Sequence, residues 1–330
     1  MIPRRLGMAL LLGLPGMLAA QAAAPPGNPD GPAITLTSYT EAGPPEHSLD
    51  VLFVGEGYAG AAGQRKFKKD LERYGKRLLE TAPFSWYRKR IAIRGAHVQS
   101  KDDGCDASDD EDEVQTPLNA SFNTRDGRSL TFRDDAALAR VVATAGNVDI
   151  AFVMVNTERY GGGGTVLYSV LVRGRPLPAP TFAAQDTTSF LIALHELGHS
   201  FADLSDEYEE KSKDKSFPLP DEGDIPSANA TLPKLVDRTS FAGLKRTLKW
   251  KHFLDLKGAR DCEWVHEGGY YREKGVLRPW DVCLMRSLDQ EFCPICAEEM
   301  SRAILSACGD TWDDAAFHQA HPLSLWQGKH

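Results

Sequence analysis

The apolar segment at residues 148–155 (VDIAFVMV) constrains the fold more than any other part of the chain. A nearly continuous apolar run of this length is typical of a strand that is buried on both faces of a sheet. Residues 49–54 (LDVLFV) and 91–98 (IAIRGAHV) are predicted to be further strands. A strand with two buried faces needs other elements above and below it, so helices are expected between these strands.

Amphipathic helices are predicted in the intervals between the strands. The first is indicated by apolar side chains at spacings of four, three and four residues, which share one helix face: Phe67, Leu71, Tyr74 and Leu78. Residues 134–144 are predicted to form a second helix. Alternating strands and helices indicate an α/β domain with a largely parallel sheet.

The rest of the chain gives weaker signals. A short first strand is predicted at residues 34–39, an edge strand at 166–172 after a flexible Gly161–Gly164 turn, and a helix at 298–305, whereas 209–282 show no regular pattern. We therefore predict a leader and first strand over residues 23–47, and a single catalytic domain over 48–330.

The N-terminus resembles a signal peptide. Arg4 and Arg5 precede an apolar stretch at residues 6–18, and Ala20-Gln21-Ala22 has the small residues that a signal peptidase needs. The stretch is shorter than the roughly 20 residues that span a bilayer. Residues 1–22 are thus predicted to be a cleaved signal peptide, and the protein to be secreted or periplasmic without stable membrane insertion afterwards.

The charge of the chain argues against nucleic-acid binding. There are 46 acidic and 38 basic residues, and no basic stripe. Many of the acidic residues lie in one run, residues 102–113. This run is interpreted as a solvated loop or, as an alternative, as a Ca²⁺ site without EF-hand spacing, built from Asp102, Asp103, Asp106, Asp109 or Asp110.

Six cysteines are present: Cys105, Cys262, Cys283, Cys293, Cys296 and Cys308. An even number in an exported chain favours disulfides. Cys293-Pro-Ile-Cys296 also has the spacing of a redox motif or of two metal ligands. A second zinc would need another close pair of cysteines, which the sequence lacks, so a structural disulfide is the favoured interpretation.

The segment His195-Glu196-Leu197-Gly198-His199 carries the main chemical signal. Side chains four residues apart lie on one face of a helix, so His195 and His199 can bind one Zn²⁺ ion. Glu196 lies beside that face and is predicted to be the general base that takes a proton from a zinc-activated water. The alternative is two surface histidines on an amphipathic helix. Capping oxygens at Asp186, Thr187 and Thr188 support the helix.

A catalytic zinc usually has a third protein ligand. The strict metzincin spacing fails, because Ala202 and Ser205 occupy the glycine and ligand positions. Asp206, eleven residues after His195, is the favoured third ligand if the helix ends near residue 203 and the chain turns back. Glu207, or a more distant Glu or His, is the alternative.

At these residues the chain resembles the IgA-peptidase family of bacterial zinc metallopeptidases, which is grouped with the metzincins. The resemblance covers the histidine motif with Asp206-Glu207-Tyr208, the segment Leu52–Tyr58, and a C-terminal block that includes Cys283-Leu284-Met285-Arg286 and Phe292–Cys296. It implies an α/β fold: a metzincin-like zinc-peptidase domain with a mixed sheet, an active-site helix and an irregular C-terminal half. It also implies that Met285 packs beneath the zinc ligands.

The function expected from these observations is an exported zinc-dependent metalloendopeptidase that acts on protein or peptide substrates. Tyr208, Tyr270 and Tyr271 are candidate donors to the oxyanion. Two alternatives stay open: a zinc hydrolase of a non-protein amide such as a cell-wall component, and an exported binding protein with a structural metal.

Overall fold

The computed structural model describes residues 31–110, 112–212, 216–256 and 264–326. The predicted signal peptide and Cys262 lie outside these described residues. Within them, no helix combines the length and the apolar character that crossing a membrane requires.

Strands and helices alternate through the first two thirds of the domain, as the sequence predicts. In chain order the elements are β1 (Ile34–Thr40), β2 (Leu49–Glu56), α1 (Gly60–Glu80), β3 (Ile91–Val98), β4 (Ser121–Phe122), β5 (Leu130–Thr131), α2 (Asp135–Ala145), β6 (Ile150–Val155), β7 (Gly162–Gly163), β8 (Val166–Val172), β9 (Arg175–Pro178), β10 (Thr181–Ala183), α3 (Ser189–Ala202), α4 (Phe241–Thr247), β11 (His266–Gly269), β12 (Arg272–Arg278), α5 (Pro294–Ala307) and α6 (Asp314–Ala320).

The main sheet is mixed and mostly parallel. Its six strands follow the order β1-β3-β2-β6-β10-β7. Strand β2 pairs in parallel with β3 and β6, and β6 pairs in parallel with β10, whereas β1 and β7 are antiparallel to their neighbours. The α/β fold class with a mixed sheet is therefore confirmed.

The central strands β2 and β6 are buried along their whole length, which explains their apolar sequences. Successive side chains point to opposite faces of the sheet. Phe53 and Phe152 belong to a core cluster that also contains apolar residues of α1 and α3. Leu52 and Val153 belong to a second cluster with residues of α2. Each such side chain contributes roughly 1.5–3 kcal/mol on burial, so the sheet fixes both helix layers.

The four-glycine segment differs from its prediction as a flexible turn. Gly162 and Gly163 form β7, which pairs with β10. A Cβ on Gly162 would lie 2.8 Å from the carbonyl oxygen of Thr181 and 3.0 Å from Cγ2 of Ile192 in α3. Glycine is required because the backbone passes this close to the helix. Strand β8 follows, and it pairs with β9 in a hairpin outside the main sheet.

The proposed calcium site in the acidic run is not formed. The carboxylates are bound to different partners: Asp102 accepts from the Gln115 amide, Asp103 from the Ala59 amide, and Asp106 from the amides of residues 113 and 114. None of them belongs to a cluster of possible metal ligands in the described ranges. The run is a hydrogen-bonded loop, because these three carboxylates accept hydrogen bonds from backbone amides.

The predicted disulfides are also not formed among the cysteines that the structure describes. Cys105, Cys283, Cys293, Cys296 and Cys308 are all free thiols. Cys293 is the N-cap of α5 and Cys296 lies in its first turn. The prediction of a structural disulfide at this motif is therefore wrong, since both thiols face a shared buried centre with Cys283.

Candidate metal centre

Helix α3 holds the two histidines of the motif on one face. Its first turn is capped by Asp186, whose Oδ1 accepts hydrogen bonds from the amides of Thr188 and Ser189 at 2.8 and 2.9 Å. The helix packs between the sheet and α5, with His195 buried and His199 partly buried. The helix predicted from the motif is confirmed, and the alternative of two surface histidines is wrong.

The end of α3 turns the chain back toward the histidines. The helix ends at Ala202, and Asp203 has left-handed backbone angles of φ 53° and ψ 30°. Its amide donates to the His199 carbonyl at 3.2 Å, and the next amide, of Leu204, donates to the Gly198 carbonyl at 3.0 Å. Aspartate tolerates this conformation better than most residues. The reversal brings Asp206 beside the helix.

Three side-chain atoms converge at this point. Nε2 of His195 lies 2.9 Å from Oδ1 of Asp206, and Nε2 of His199 lies 3.2 Å from the same oxygen. The two Nε2 atoms are 3.2 Å apart. Metal–nitrogen and metal–oxygen bonds of about 2.0–2.2 Å at tetrahedral angles separate neighbouring ligand atoms by roughly 3.3 Å. The triangle therefore fits one zinc-sized ion, for which the described residues supply these three side-chain ligands.

Backbone carbonyls orient both imidazoles. Nδ1 of His195 lies 3.0 Å from the carbonyl oxygen of Leu284, and Nδ1 of His199 lies 2.6 Å from that of Leu204. A carbonyl oxygen only accepts hydrogen bonds, so each Nδ1 carries a proton and donates it. A ring that is protonated only at Nδ1 presents the lone pair of Nε2 to the common centre, which is the arrangement that a metal-binding histidine needs.

The charges at this centre are strongly coupled. Burial raises the pKa of Asp206, but hydrogen bonds and positive charge from His195 and His199 outweigh it and hold this pKa well below its usual range. Burial lowers the pKa of His199, but Asp206 and Leu204 raise it to about 9, with a smaller contribution from the charge of Glu196. A carboxylate that favours one positive charge on the rings equally favours a bound cation.

Glu196 follows His195 and is partly exposed. Its carboxylate lies against Gly164, which directly follows β7, and a Cβ at that glycine would overlap Oε2. The absence of a side chain at residue 164 thus makes the space that the Glu196 carboxylate occupies.

Met285 lies beneath the turn that carries both histidines. It is fully buried, and a Cβ on Gly198 would lie 2.6 Å from its Sδ atom. The carbonyl of Met285 accepts a hydrogen bond from the Glu207 amide at 2.8 Å. The apolar floor expected from the family resemblance is present, because Gly198 leaves space for the thioether.

Two of the three candidate tyrosines lie at the centre. The Tyr271 hydroxyl donates a hydrogen bond to Oδ2 of Asp206, and the Tyr208 ring centroid is 6.2 Å from that of His195. Tyr270 packs instead against a small apolar cluster formed by Ile225, Ala230, Leu232 and Val276. The β11–β12 turn reaches the centre through the amide of Tyr270, which donates to the Asp206 carbonyl at 2.8 Å.

Glu207, the alternative third ligand, points away from the histidines. Its Oε1 accepts a hydrogen bond from Nδ2 of Asn229 at 2.9 Å and lies 3.3 Å from Sγ of Cys296. Asp206 and Glu207 therefore have different partners, and of the two only Asp206 joins the imidazoles. Tyr271 and Leu284 complete the centre from 65 and 89 residues away, a relationship that no local spacing reveals.

Comparison with known proteins gives a specific result. A search of curated proteins found no match. Residues 37–259 match the family described as IgA peptidase M64. The matched region contains the main sheet except for the first three residues of β1, together with α3 and the three converging side chains. The chain therefore belongs to the IgA peptidase M64 family.

Proposed function

We propose that this chain is an exported zinc-dependent metalloendopeptidase in which His195, His199 and Asp206 hold the ion and Glu196 is the general base. The observation that carries the proposal is the convergence of Nε2 of both histidines and Oδ1 of Asp206 within 3.2 Å of one another. Two nitrogen ligands and one carboxylate oxygen match a catalytic zinc site that keeps one position open.

The bound zinc would supply Lewis acidity, which lowers the pKa of a water molecule toward about 7 and polarises the peptide carbonyl. The protein side chains do the remaining work. Glu196 accepts a proton at its carboxylate and returns it to the leaving amine. Its place beside the histidine face supports this role. Tyr208 is proposed to stabilise the oxyanion, because its ring lies beside that of His195, with the two ring centroids 6.2 Å apart.

Cleavage of an unstructured protein by the purified chain tests the proposal. Hydrolysis should stop on addition of a chelator and return when zinc is added back. Glu196→Gln should keep its zinc and lose about 10²–10⁴-fold in rate. Asp206→Ala should lose both zinc and activity. Chelator-resistant hydrolysis, or full activity in Glu196→Gln, would contradict the mechanism.

Export is part of the proposal and rests on the signal-like N-terminus. The test is N-terminal sequencing of the protein after expression with residues 1–330. A mature chain that begins after Ala22, recovered from the periplasm or the medium, is expected. An unprocessed chain that stays in the cytoplasm would refute export and leave the proposed chemistry unaffected.

A further inference from the structure

A second group of possible metal ligands lies apart from the histidine centre. It consists of Glu207, Cys283, Cys293 and Cys296, and one ligand atom from each lies within 4.8 Å of the others. All four residues are at most 1% exposed. They come from three separate segments of the chain, so the tertiary fold supplies the additional ligands that the Cys293–Cys296 spacing alone lacks.

The spacing of the ligand atoms suits a tetrahedral ion. Sγ of Cys296 lies 3.3 Å from Oε1 of Glu207. In a tetrahedral zinc site, bonds of about 2.3 Å to sulfur and 2.0–2.2 Å to oxygen separate neighbouring ligand atoms by roughly 3.5–3.8 Å. Only small side-chain shifts are needed to bring the four ligand atoms around one zinc.

The Glu207 carboxylate gives an independent reason to expect a cation. Its Oε2 is buried and has no hydrogen-bond partner in the described part of the chain. A buried carboxylate oxygen without a partner is costly and requires an explanation. Arg278 lies nearby, but its Nη1 donates to backbone carbonyls and its Nη2 to Asp281. Its Nε has no partner among the described residues, and within them no ion pair joins Arg278 to Glu207.

We propose that Glu207, Cys283, Cys293 and Cys296 bind a structural zinc ion. Three thiolates select a soft or borderline metal, and a carboxylate as the fourth ligand favours zinc over copper(I). Four protein ligands close the site, as in structural zinc centres. A disulfide does not account for the group, because it would leave one thiol over and the Glu207 oxygen still without a partner.

The N-terminus of α5 favours thiolates at this position. Cys293 is its N-cap and Cys296 lies in its first turn, where the helix dipole and free amides stabilise negative charge. The Cys293 amide also lies 3.3 Å from Sγ of Cys283. Hydrogen bonds of this kind to the sulfur atoms are the usual support of a thiolate metal site.

The remaining cluster of possible ligands, His252, Glu298 and His318, is less suitable for a metal. Glu298 already accepts a hydrogen bond from Nη2 of Arg302 at 2.5 Å and lies 3.1 Å from Nε2 of His252. Its charge is therefore balanced by a guanidinium, which a bound cation would have to displace.

A zinc ion in the cysteine cluster would stabilise two chain segments that also carry residues of the proposed catalytic centre. Glu207 directly follows Asp206, and Cys283 directly precedes Leu284, whose carbonyl orients His195. The same two segments are joined by the hydrogen bond between the Glu207 amide and the Met285 carbonyl. The inference does not depend on the proposed peptidase chemistry, because it concerns a different set of ligands.

Cobalt substitution distinguishes the two metal sites. The three ligands of the histidine centre include no thiolate, so a thiolate-to-cobalt charge-transfer band in the near ultraviolet reports only the cysteine cluster. The purified chain is stripped of metal under reducing conditions and titrated with Co²⁺. The band is expected in the wild type and in His199→Ala, and we expect Cys296→Ser to lose it. The matched control Cys105→Ser, whose thiol lies outside the cluster, should keep it.

Metal content gives a second readout. The wild type should hold about two zinc ions per chain, and Cys296→Ser about one. Absence of the cobalt band in the wild type, its persistence in Cys296→Ser, or a disulfide that joins two of the three clustered cysteines would overturn the proposal. A wild-type band without any peptidase activity would refute the proposed function and support the structural zinc.

Discussion

The Tyr271 hydroxyl donates a hydrogen bond to Oδ2 of Asp206, while Oδ1 of the same carboxylate faces both imidazoles. The tyrosine thus fixes which oxygen is available to a metal. Burial and this carboxylate together raise the pKa of Tyr271 above its usual range, so the hydroxyl remains a donor.

Tyr271→Phe removes this donor and keeps the ring. Loss of a hydrogen bond to a metal-binding carboxylate typically weakens metal binding about 10–100-fold, and we expect that decrease in zinc affinity. Competition with a chromogenic chelator measures it. Tyr168→Phe, at an exposed position in β8, is the control and should bind zinc like the wild type. Unchanged affinity in Tyr271→Phe would show that the hydrogen bond does not orient Asp206.

Gly164→Ala tests how the Glu196 carboxylate is placed. The added Cβ overlaps Oε2 of Glu196 and displaces it from its position beside β7. A shift of about 1 Å in a catalytic group can lower the rate about 10²-fold. We expect a fall of that order in kcat with zinc content unchanged. Gly43→Ala, where a Cβ would meet nothing within 4 Å, serves as the control. Wild-type kcat in Gly164→Ala would contradict the assigned position.

Gly198→Ala tests the packing of Met285 beneath the histidine turn. The new Cβ lies 2.6 Å from Sδ, so the thioether must move within a full core. Overpacking of this kind costs about 1–3 kcal/mol in the free energy of unfolding. Denaturant unfolding measures the loss. The double variant with Met285→Ala should lose less than the sum of the two single changes, because the smaller side chain removes the clash. Strict additivity would mean that the two residues do not compete for space.

The buried Glu56 side chain is expected to make the stability of the folded chain fall as pH rises. Burial raises its pKa from 4.5 to about 7, although Thr116, Ala120 and Leu118 donate hydrogen bonds that lower it. Between these pH values the folded chain keeps a proton that the unfolded chain releases, so this contribution to stability falls as pH rises. The difference in pKa corresponds to roughly 3 kcal/mol.

Unfolding of wild type and Glu56→Gln between pH 4.5 and 8 isolates this contribution. The free energy of unfolding of Glu56→Gln, relative to that of the wild type, should rise by roughly 3 kcal/mol over that range. This rise is expected whatever the difference in stability between the two proteins at pH 4.5. Glu80→Gln, at the exposed end of α1, should follow the wild type. A constant difference between Glu56→Gln and wild type at all pH values would contradict the raised pKa.

Local patterns were sufficient to predict four strands of the main sheet, β1, β2, β3 and β6, and the metal-binding helix. Strand β3 has its predicted bounds, and α2 differs by one residue at each end. These elements are predictable because a strand buried on both faces has a nearly continuous apolar run, and an amphipathic helix has apolar residues at a period of 3.6. The histidine pair is predictable for the same reason, since one helical turn places both rings.

Contacts between distant segments were not predictable in this way. The glycine run was interpreted as a turn because sequence does not show that α3 passes close to Gly162. The disulfide prediction failed because spacing within Cys293–Cys296 says nothing about Cys283 or Glu207, which the fold places beside them. Likewise, no spacing indicates that Tyr271 binds Asp206. Such relationships depend on the tertiary path of the irregular C-terminal half.

The hydrogen bond from His195 to the Leu284 carbonyl has a consequence for the timing of assembly. The histidine motif leaves the ribosome 89 residues before its acceptor. Until that later segment has folded into place, His195 lacks the contact that selects its tautomer. A nascent chain that ends before Leu284 therefore contains the whole histidine motif and still lacks the contact that orients His195, so the centre can form only after residue 284 has been made and has folded into place.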